Sequence, residues 1–268
     1  MIIDFHAHCF PEAVAAAAMP KLAAHGGVRE PAFDGTAAGL LATMDSAGID
    51  CCVVANIATN PRQQRSVNGF AISLLENPRF IPFGSVHPDS PGALDELRRL
   101  RAAGIRGIKL HPDYQDFFPD EPRMFPIYRE AARLGLITLF HAGVDIGLCY
   151  PVRSTPERLA RALPQFDGAP VVAAHFGGYI LWREVVDHLC GQDIYFDTSY
   201  CARKMPLPWA REIIETHGAD RVLFGTDLPW VDPLDEIGFA RLASKDEAMA
   251  ADILGNNAAS LLKLEDCL

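Results

Sequence analysis

Eight short apolar runs, most of them followed by a stretch with helical spacing, constrain this chain more than any other feature of its sequence. The runs are Ile2–Phe5, Cys51–Ala55, Phe80–Val86, Ile105–Leu110, Leu136–Phe140, Val171–Ala174, Ile194–Phe196 and Arg221–Phe224. Their interiors are rich in Val, Ile and Phe, the composition of strands buried on both faces. Helical stretches fall at Asp34–Ala47, Gln63–Glu76, Gly92–Ala103, Met124–Leu134, Thr155–Leu163, Leu181–Cys190 and Met205–His217. Several stop at a glycine, the residue that accepts the left-handed conformation just past a helix end. Strict alternation of strand and helix demands parallel pairing, and eight such units close more readily into a barrel than they spread into an open sheet. The sequence thus predicts an α/β fold, a regular or distorted (β/α)8 TIM barrel, with two or three extra C-terminal helices in Asp235–Leu268. Such a barrel takes about 250 residues, so residues 1–268 are expected to form a single domain. The stretch Phe10–Phe33 is longer than a usual loop and is expected to cover the barrel mouth.

Composition narrows the function. Hydrophobic residues make up 49% of the chain, enough for a substantial core, and the formal net charge is −10. A surface for nucleic acid or an anionic membrane needs a basic patch, so the expected partner is a small-molecule substrate, with no nucleic acid and no membrane. Seven cysteines, an odd number without a CxxC pair, read as reduced thiols in a cytosol rather than a disulfide framework. The start MIIDFHAHCF lacks a basic leader region, and no run approaches the ~18 apolar residues of a membrane span. A cytoplasmic location is the expectation. A homo-oligomer is left open, with Phe117–Phe118 and Pro206–Trp209 as interface candidates.

The chemistry gathers at strand ends. In IIDFHAHCF, Asp4, His6 and His8 recur at period two, which in a regular strand puts all three on one side. Two histidines so spaced reach one metal ion. Further along, SVHP gives His87, IKLHP gives Lys109 and His111, LFHAG gives His141, AAHFGG gives His175, and LFGTDLPW gives Asp227. Of nine histidines, six stand at predicted strand C-termini, the face where TIM barrels carry their active sites. A lone histidine there is usually just a hydrogen-bonded residue; the ordered set points to a metal. Cys9 is turned away from His8 by alternation, and Cys51 and Cys52 are read as core. Tyr179, Trp182 and Trp230 are read as pocket wall or core.

The order DxHxH, strand-5 His, strand-6 His, strand-8 Asp resembles the amidohydrolase superfamily. More narrowly it resembles the "amidohydrolase 2" family of TIM-barrel metal-dependent hydrolases, to which aminocarboxymuconate-semialdehyde decarboxylase also belongs. GIKLHP, HAG, HFGG, YFDTS, RVLFGTDLPW and ILGNNAASLL carry the likeness from Ile2 to Leu264. The resemblance implies that His6, His8, His141 and Asp227 are metal ligands. It makes His175 a catalytic histidine that orients water or substrate, and Asp227 also the catalytic proton acceptor. Asp4 and Asp197 are expected behind the ligands, fixing their orientation. The expected cofactor is a divalent metal ion, zinc first, with manganese or another ion left open, and one ion rather than two. Lys109 stands near the place of the bridging carbamylated lysine of binuclear members; the preferred reading makes Lys109 and His111 substrate-binding residues. His87 is read as structural or substrate-facing.

The expected activity is attack of activated water on an amide, ester or lactone carbonyl of a small molecule. A metal-dependent non-oxidative decarboxylase of aromatic or muconate-like acids is the alternative. Decarboxylating relatives tend to be longer and to carry extra loop arginines. A TatD-like nuclease is disfavoured, because the middle strands end in Val86–His87 and Lys109–His111 without a Glu. A non-catalytic metal-binding barrel is the remaining rival.

Overall fold

A computed structural model describes residues 1–27, 30–148 and 150–264. Its parallel strands are β1 (Ile3–Ala7), β2 (Cys51–Ala55), β3 (Phe80–Phe83), β4 (Gly107–Leu110), β5 (Ile137–Phe140), β6 (Val171–Ala173), β7 (Tyr195–Asp197) and β8 (Val222–Leu223). They form two curved sheets, β1-β2-β3 and β4-β5-β6-β7-β8. Two narrow seams join the sheets: Gly84 pairs with Ile108, while the Phe5 amide donates to the Phe224 carbonyl (2.7 Å) and Ala7 pairs with Leu228. The arrangement is the expected TIM barrel, with short strands. The apolar runs Phe80–Val86 and Arg221–Phe224 overreach because Val86 and Phe224 stay buried past the strand ends, and Ile105–Leu110 overreaches at its start, where buried Ile105 still donates its amide to the Leu100 carbonyl.

The helices are α1 (Glu12–His25), α2 (Ala37–Ala47), α3 (Gln64–Ser73), α4 (Ala93–Ala102), α5 (Pro112–Gln115), α6 (Phe125–Arg133), α7 (Pro156–Ala162), α8 (Trp182–His188), α9 (Leu207–His217), α10 (Pro233–Ala243), α11 (Glu247–Ala251) and α12 (Asn257–Leu262). Local chemistry sets their starts: the Thr36 and Thr155 hydroxyls accept from Gly39 and Arg158 amides, capping α2 and α7. The supposed loop Phe10–Phe33 contains the 14-residue helix α1. Its alanine run, the strongest helix former, outweighs Pro20. Val28 and Arg29 of that stretch, and residues 265–268 of the tail, lie outside the described residues.

Two cores follow from the barrel. Ile3, Phe5, Val53, Phe83, Leu139, Val172 and Leu223 fill its interior, which α12 closes with Ala258 and Leu262. A larger layer, including Val54, Ile108, Phe140 and Phe196, packs strands against helices. Strand β1 changes sides between them. Ile3 and Phe5 belong to the interior, whereas Ala7 and Cys9 belong to the outer layer. The cause is a β-bulge: Asp4 to Ala7 on β1 spans only Cys52 to Val54 on β2. A bulge inserts one residue and re-aims the side chains beyond it. His6 and His8 therefore face the mouth, but Asp4 does not share their face, which corrects the period-two reading. Five cysteines, Cys9, Cys51, Cys52, Cys190 and Cys201, are free thiols. Among the described residues no helix is long and apolar enough to cross a membrane.

Candidate metal centre

His6, His8 and Asp227 meet at the rim, with one ligand-type atom of each within 4.8 Å of the others. His8 Nε2 lies 3.1 Å from Asp227 Oδ1, and His6 Nε2 lies 3.5 Å from the same oxygen. Asp227 follows β8 at φ 71°, a left-handed conformation that a non-glycine residue holds only when its surroundings impose it. They do: its amide donates to the His6 carbonyl (2.7 Å). Next to it, the Thr226 amide and hydroxyl donate to the Asp4 carboxylate, which also accepts the His6 amide. Asp4 thus holds the backbones of β1 and the β8 loop together instead of orienting a ligand ring. Burial pushes its carboxyl up to about 7, against the hydrogen bonds from Thr226 and His6.

Fixed acceptors settle which nitrogen of each imidazole carries the proton. His8 Nδ1 lies 2.7 Å from the Ala55 carbonyl, which can only accept, so Nδ1 donates. Nε2 of the neutral ring is then a bare lone pair facing a carboxylate oxygen. Two acceptors 3.1 Å apart require a proton or a cation between them. His6 Nδ1 lies 3.0 Å from Asp197 Oδ2 and 3.0 Å from Ser199 Oγ. Ser199 gives its own proton to Asp197 Oδ1, so its oxygen accepts. His6 Nδ1 therefore donates, and its Nε2 is also a lone pair. His175 Nδ1 donates to the Ser199 carbonyl (3.0 Å), which leaves His175 Nε2 to accept from His141 Nδ1 (3.2 Å). His141 Nε2 is the third lone pair; it is buried and has no hydrogen-bond partner.

Electrostatics keeps the His6, His111 and His141 rings neutral and the Asp197 and Asp227 acids ionised. Burial pushes His6 down to about 4, with Lys109 adding to the shift, and holds His141 and His111 well below the usual histidine range. Burial alone would raise Asp197 and Asp227. Attraction to His6 and the bond from its Nδ1 hold Asp197 well below the carboxylate range, and attraction to His6 with the bond from His8 holds Asp227 below it too. Three imidazole lone pairs and a carboxylate are a donor set that suits zinc and other borderline divalent ions. An orphaned buried nitrogen is what such an ion would satisfy.

The structure does not bring all four expected ligands equally close. His141 falls in a neighbouring trio with His111 and Asp145, rather than in the trio of His6, His8 and Asp227. Its ring stacks on His111 at 4.1 Å and 8°. His111 Nδ1 accepts the Tyr114 amide and caps α5, while Nε2 lies 3.2 Å from Asp145 Oδ2. Lys109 Nζ reaches His6 Nε2 at 3.0 Å, and burial pushes its ammonium down to about 8. One lone pair cannot serve that ammonium and a divalent cation together. His87 stands apart: its amide is held by Gln64 and its Nδ1 accepts the Asp89 amide. Sequence reading missed Ser199, Asp145 and the Ala55 carbonyl. A serine two residues after Asp197 is a weak signal, and a backbone oxygen gives none.

These groups sit at the floor of a cavity of ≈ 490 Å³. His6, His8, Lys109, His141, His175 and Asp227 form one end of it, with Tyr179, Tyr200 and Trp230 beside them. Side chains of helices α1 and α3 also line it. Trp182 instead packs as core and donates its indole N–H to the His175 carbonyl.

Solved structures share this architecture. The chain superposes on 5-carboxyvanillate decarboxylase LigW from Sphingomonas paucimobilis with TM-score 0.73, 20% identity and 98% of each chain covered. A TIM-barrel protein from Bordetella bronchiseptica gives TM-score 0.76, 22% identity and 98% of each chain. A "probable 2-pyrone-4,6-dicarboxylic acid hydrolase" from Acinetobacter baumannii gives TM-score 0.69, 19% identity, and 98% of this chain against 99% of that one. At these identities the likeness establishes the fold. None of the curated proteins matches the sequence. The Amidohydrolase family matches residues 3–264, nearly the whole chain, and the protein belongs to this family of metal-dependent enzymes.

Proposed function

We propose that the protein is a metal-dependent hydrolase that cleaves an ester, lactone or amide bond of a small molecule. The observation that carries this reading is the convergence of imidazole lone pairs and Asp227 on the floor of an open cavity. His6, His8 and Asp227 would hold the ion, with His141 offering the nearby free Nε2. A divalent ion supplies Lewis acidity there, which makes water a nucleophile near neutral pH and polarises a carbonyl. Asp227, ionised and at the cavity wall, is placed to accept the proton that water gives up. His175 lines the cavity but spends Nε2 on His141, so its resting role is to set the His141 tautomer. Acting on substrate would require it to release that bond. Asp197 and Ser199 fix His6 and His175 in the same way. Lys109 is the cation available to a developing oxyanion.

Non-oxidative decarboxylation is the second reading. Lys109, the one amino or guanidino cation among the described lining residues, is the observation in its favour, because it would pair with a substrate carboxylate. Zinc- or manganese-loaded protein tested on aryl esters, lactones, anilides and aromatic acids decides between them. Acid release without carbon dioxide supports hydrolysis; carbon dioxide release from an aromatic acid with no ester, lactone or amide turnover refutes it.

A further inference from the structure

Two helices, α1 and α3, contribute apolar faces to the wall of this cavity. Val14, Ala18 and Leu22 recur every fourth residue and form one stripe of α1 that lines the cavity. Val67 and Phe70 of α3 line it too, and Ile146 adds a further apolar contact. Val14 is 47% and Ile146 50% exposed, so apolar surface stands open here. Covering such surface is favourable, and a ligand is what the open cavity admits. Charge is distributed oppositely. No arginine occurs among the described lining residues, Lys109 is tied to His6, and Asp145 and Asp227 contribute negative charge. A second carboxylate placed on a substrate away from Lys109 would lie against apolar side chains, with no arginine or further lysine among the described lining residues to meet it.

We propose that the apolar part of this cavity is a tail slot, and that the substrate is an amphiphile: one reacting polar head and one uncharged aliphatic or aryl tail lying against the lining side chains of α1 and α3. The inference rests on the reading of the metal corner as the reacting end. It excludes dicarboxylates as preferred substrates. It also makes Ala18 a specificity-determining position, because the smallest side chain of the α1 stripe sets the room beside α1.

The test is binding, measured by calorimetry on zinc-loaded protein. Probes are straight-chain hydroxamates of increasing length, their ω-carboxylate counterparts, and straight-chain alkanols, which need no metal. Affinity is expected to rise about fourfold per methylene until the slot is full. An ω-carboxylate is expected to weaken binding by at least ~30-fold at equal length. Ala18→Trp, which fills the slot, should collapse the length dependence, and Val67→Trp does so from α3 should the first variant fail to fold. Equal affinity for ω-carboxylate and apolar probes, or an unchanged length series in a folded variant, overturns the proposal. Alkanols graded by length in a protein that binds no hydroxamate and hydrolyses nothing refute the metal-hydrolase reading and leave the tail slot standing.

Discussion

Replacing Asp197 by Asn tests the tautomer chain with almost no change of shape. In the native protein Oδ2 accepts from His6 Nδ1 at 3.0 Å, while Oδ1 accepts from the amides of His175 (3.0 Å) and Ser199 (3.1 Å) and from the Ser199 hydroxyl. Three donors on Oδ1 against one on Oδ2 dictate that the new NH2 group turns towards His6. The ring must then present a lone pair at Nδ1 and carry its proton on Nε2, the nitrogen needed for the metal. Ligation would force it back, with two donors facing each other in a buried site. Losing a charge-assisted bond costs about 1.5–3 kcal/mol, and an unsatisfied buried donor about 1–3 kcal/mol. A net loss of about 3 kcal/mol corresponds to roughly a hundredfold in metal affinity, the upper end of what removing a ligand histidine's partner does. Asp197→Ala leaves Nδ1 free to meet water, so it should weaken the metal only about tenfold. Yet it strips three buried donors of their acceptor, so metal-free Asp197→Ala should melt below Asp197→Asn. Chelator competition for zinc and calorimetric melting measure the two orders. A folded Asp197→Asn that binds zinc as tightly as Asp197→Ala, or more tightly, refutes the tautomer assignment.

Four further outcomes follow from the structure. Asp227→Asn should abolish turnover and lower zinc affinity, and native protein should lose about 2.7 kcal/mol of stability when a chelator removes zinc that was present at 100 times its Kd; a melting temperature indifferent to zinc contradicts the site. Glu236 on α10 is buried where its carboxyl accepts the Cys201 and Ala202 amides, and burial holds it well above the usual carboxylate range. Above the unfolded pKa the unfolded chain loses this proton first, so stability should fall by about 1.4 kcal/mol per pH unit from near pH 4.5 until the folded group titrates; Glu236→Gln should flatten that slope in melts between pH 5 and 7. Gly143 sits at φ 88° with room for no Cβ, which would lie 2.1 Å from the Tyr179 amide nitrogen, so Gly143→Ala should cost roughly 3 kcal/mol or more and show it in urea melts.

Periodicity made the barrel legible because its signal is long-ranged: eight apolar runs with helices between them admit few topologies. Histidines at strand ends were legible for the same reason, since each strand end maps to one rim. Reading failed where one residue alters geometry. The bulge between Asp4 and Ala7 leaves DFHAH looking like a regular strand, yet it decides that His6 and His8 face the mouth while Asp4 clamps Thr226. Alanine-rich α1 looked like a loop between Pro11 and Pro20 because it lacks a polar face, and the missing polarity is what makes it a cavity wall. Asp145 carries no spacing signal and Ser199 only the weak one of standing two residues after Asp197, because loops after β5 and β7 bring them in.

The site is held less by its ligands' identity than by groups that cannot change role. A backbone carbonyl never donates, so Ala55 and Ser199 fix His8 and His175 irreversibly. Asp197, kept ionised by the histidines around it, adds His6, and His175 passes its setting to His141. His141 Nε2 is then a free lone pair before any ion arrives, whereas His6 Nε2 becomes one only when Lys109 withdraws from it. Such a chain also gives His175 a role beside the proposed ligands although its ring nitrogens are both engaged. Its loss would free His141 to turn its proton towards the buried side, and the centre would lose a donor without losing a ligand residue.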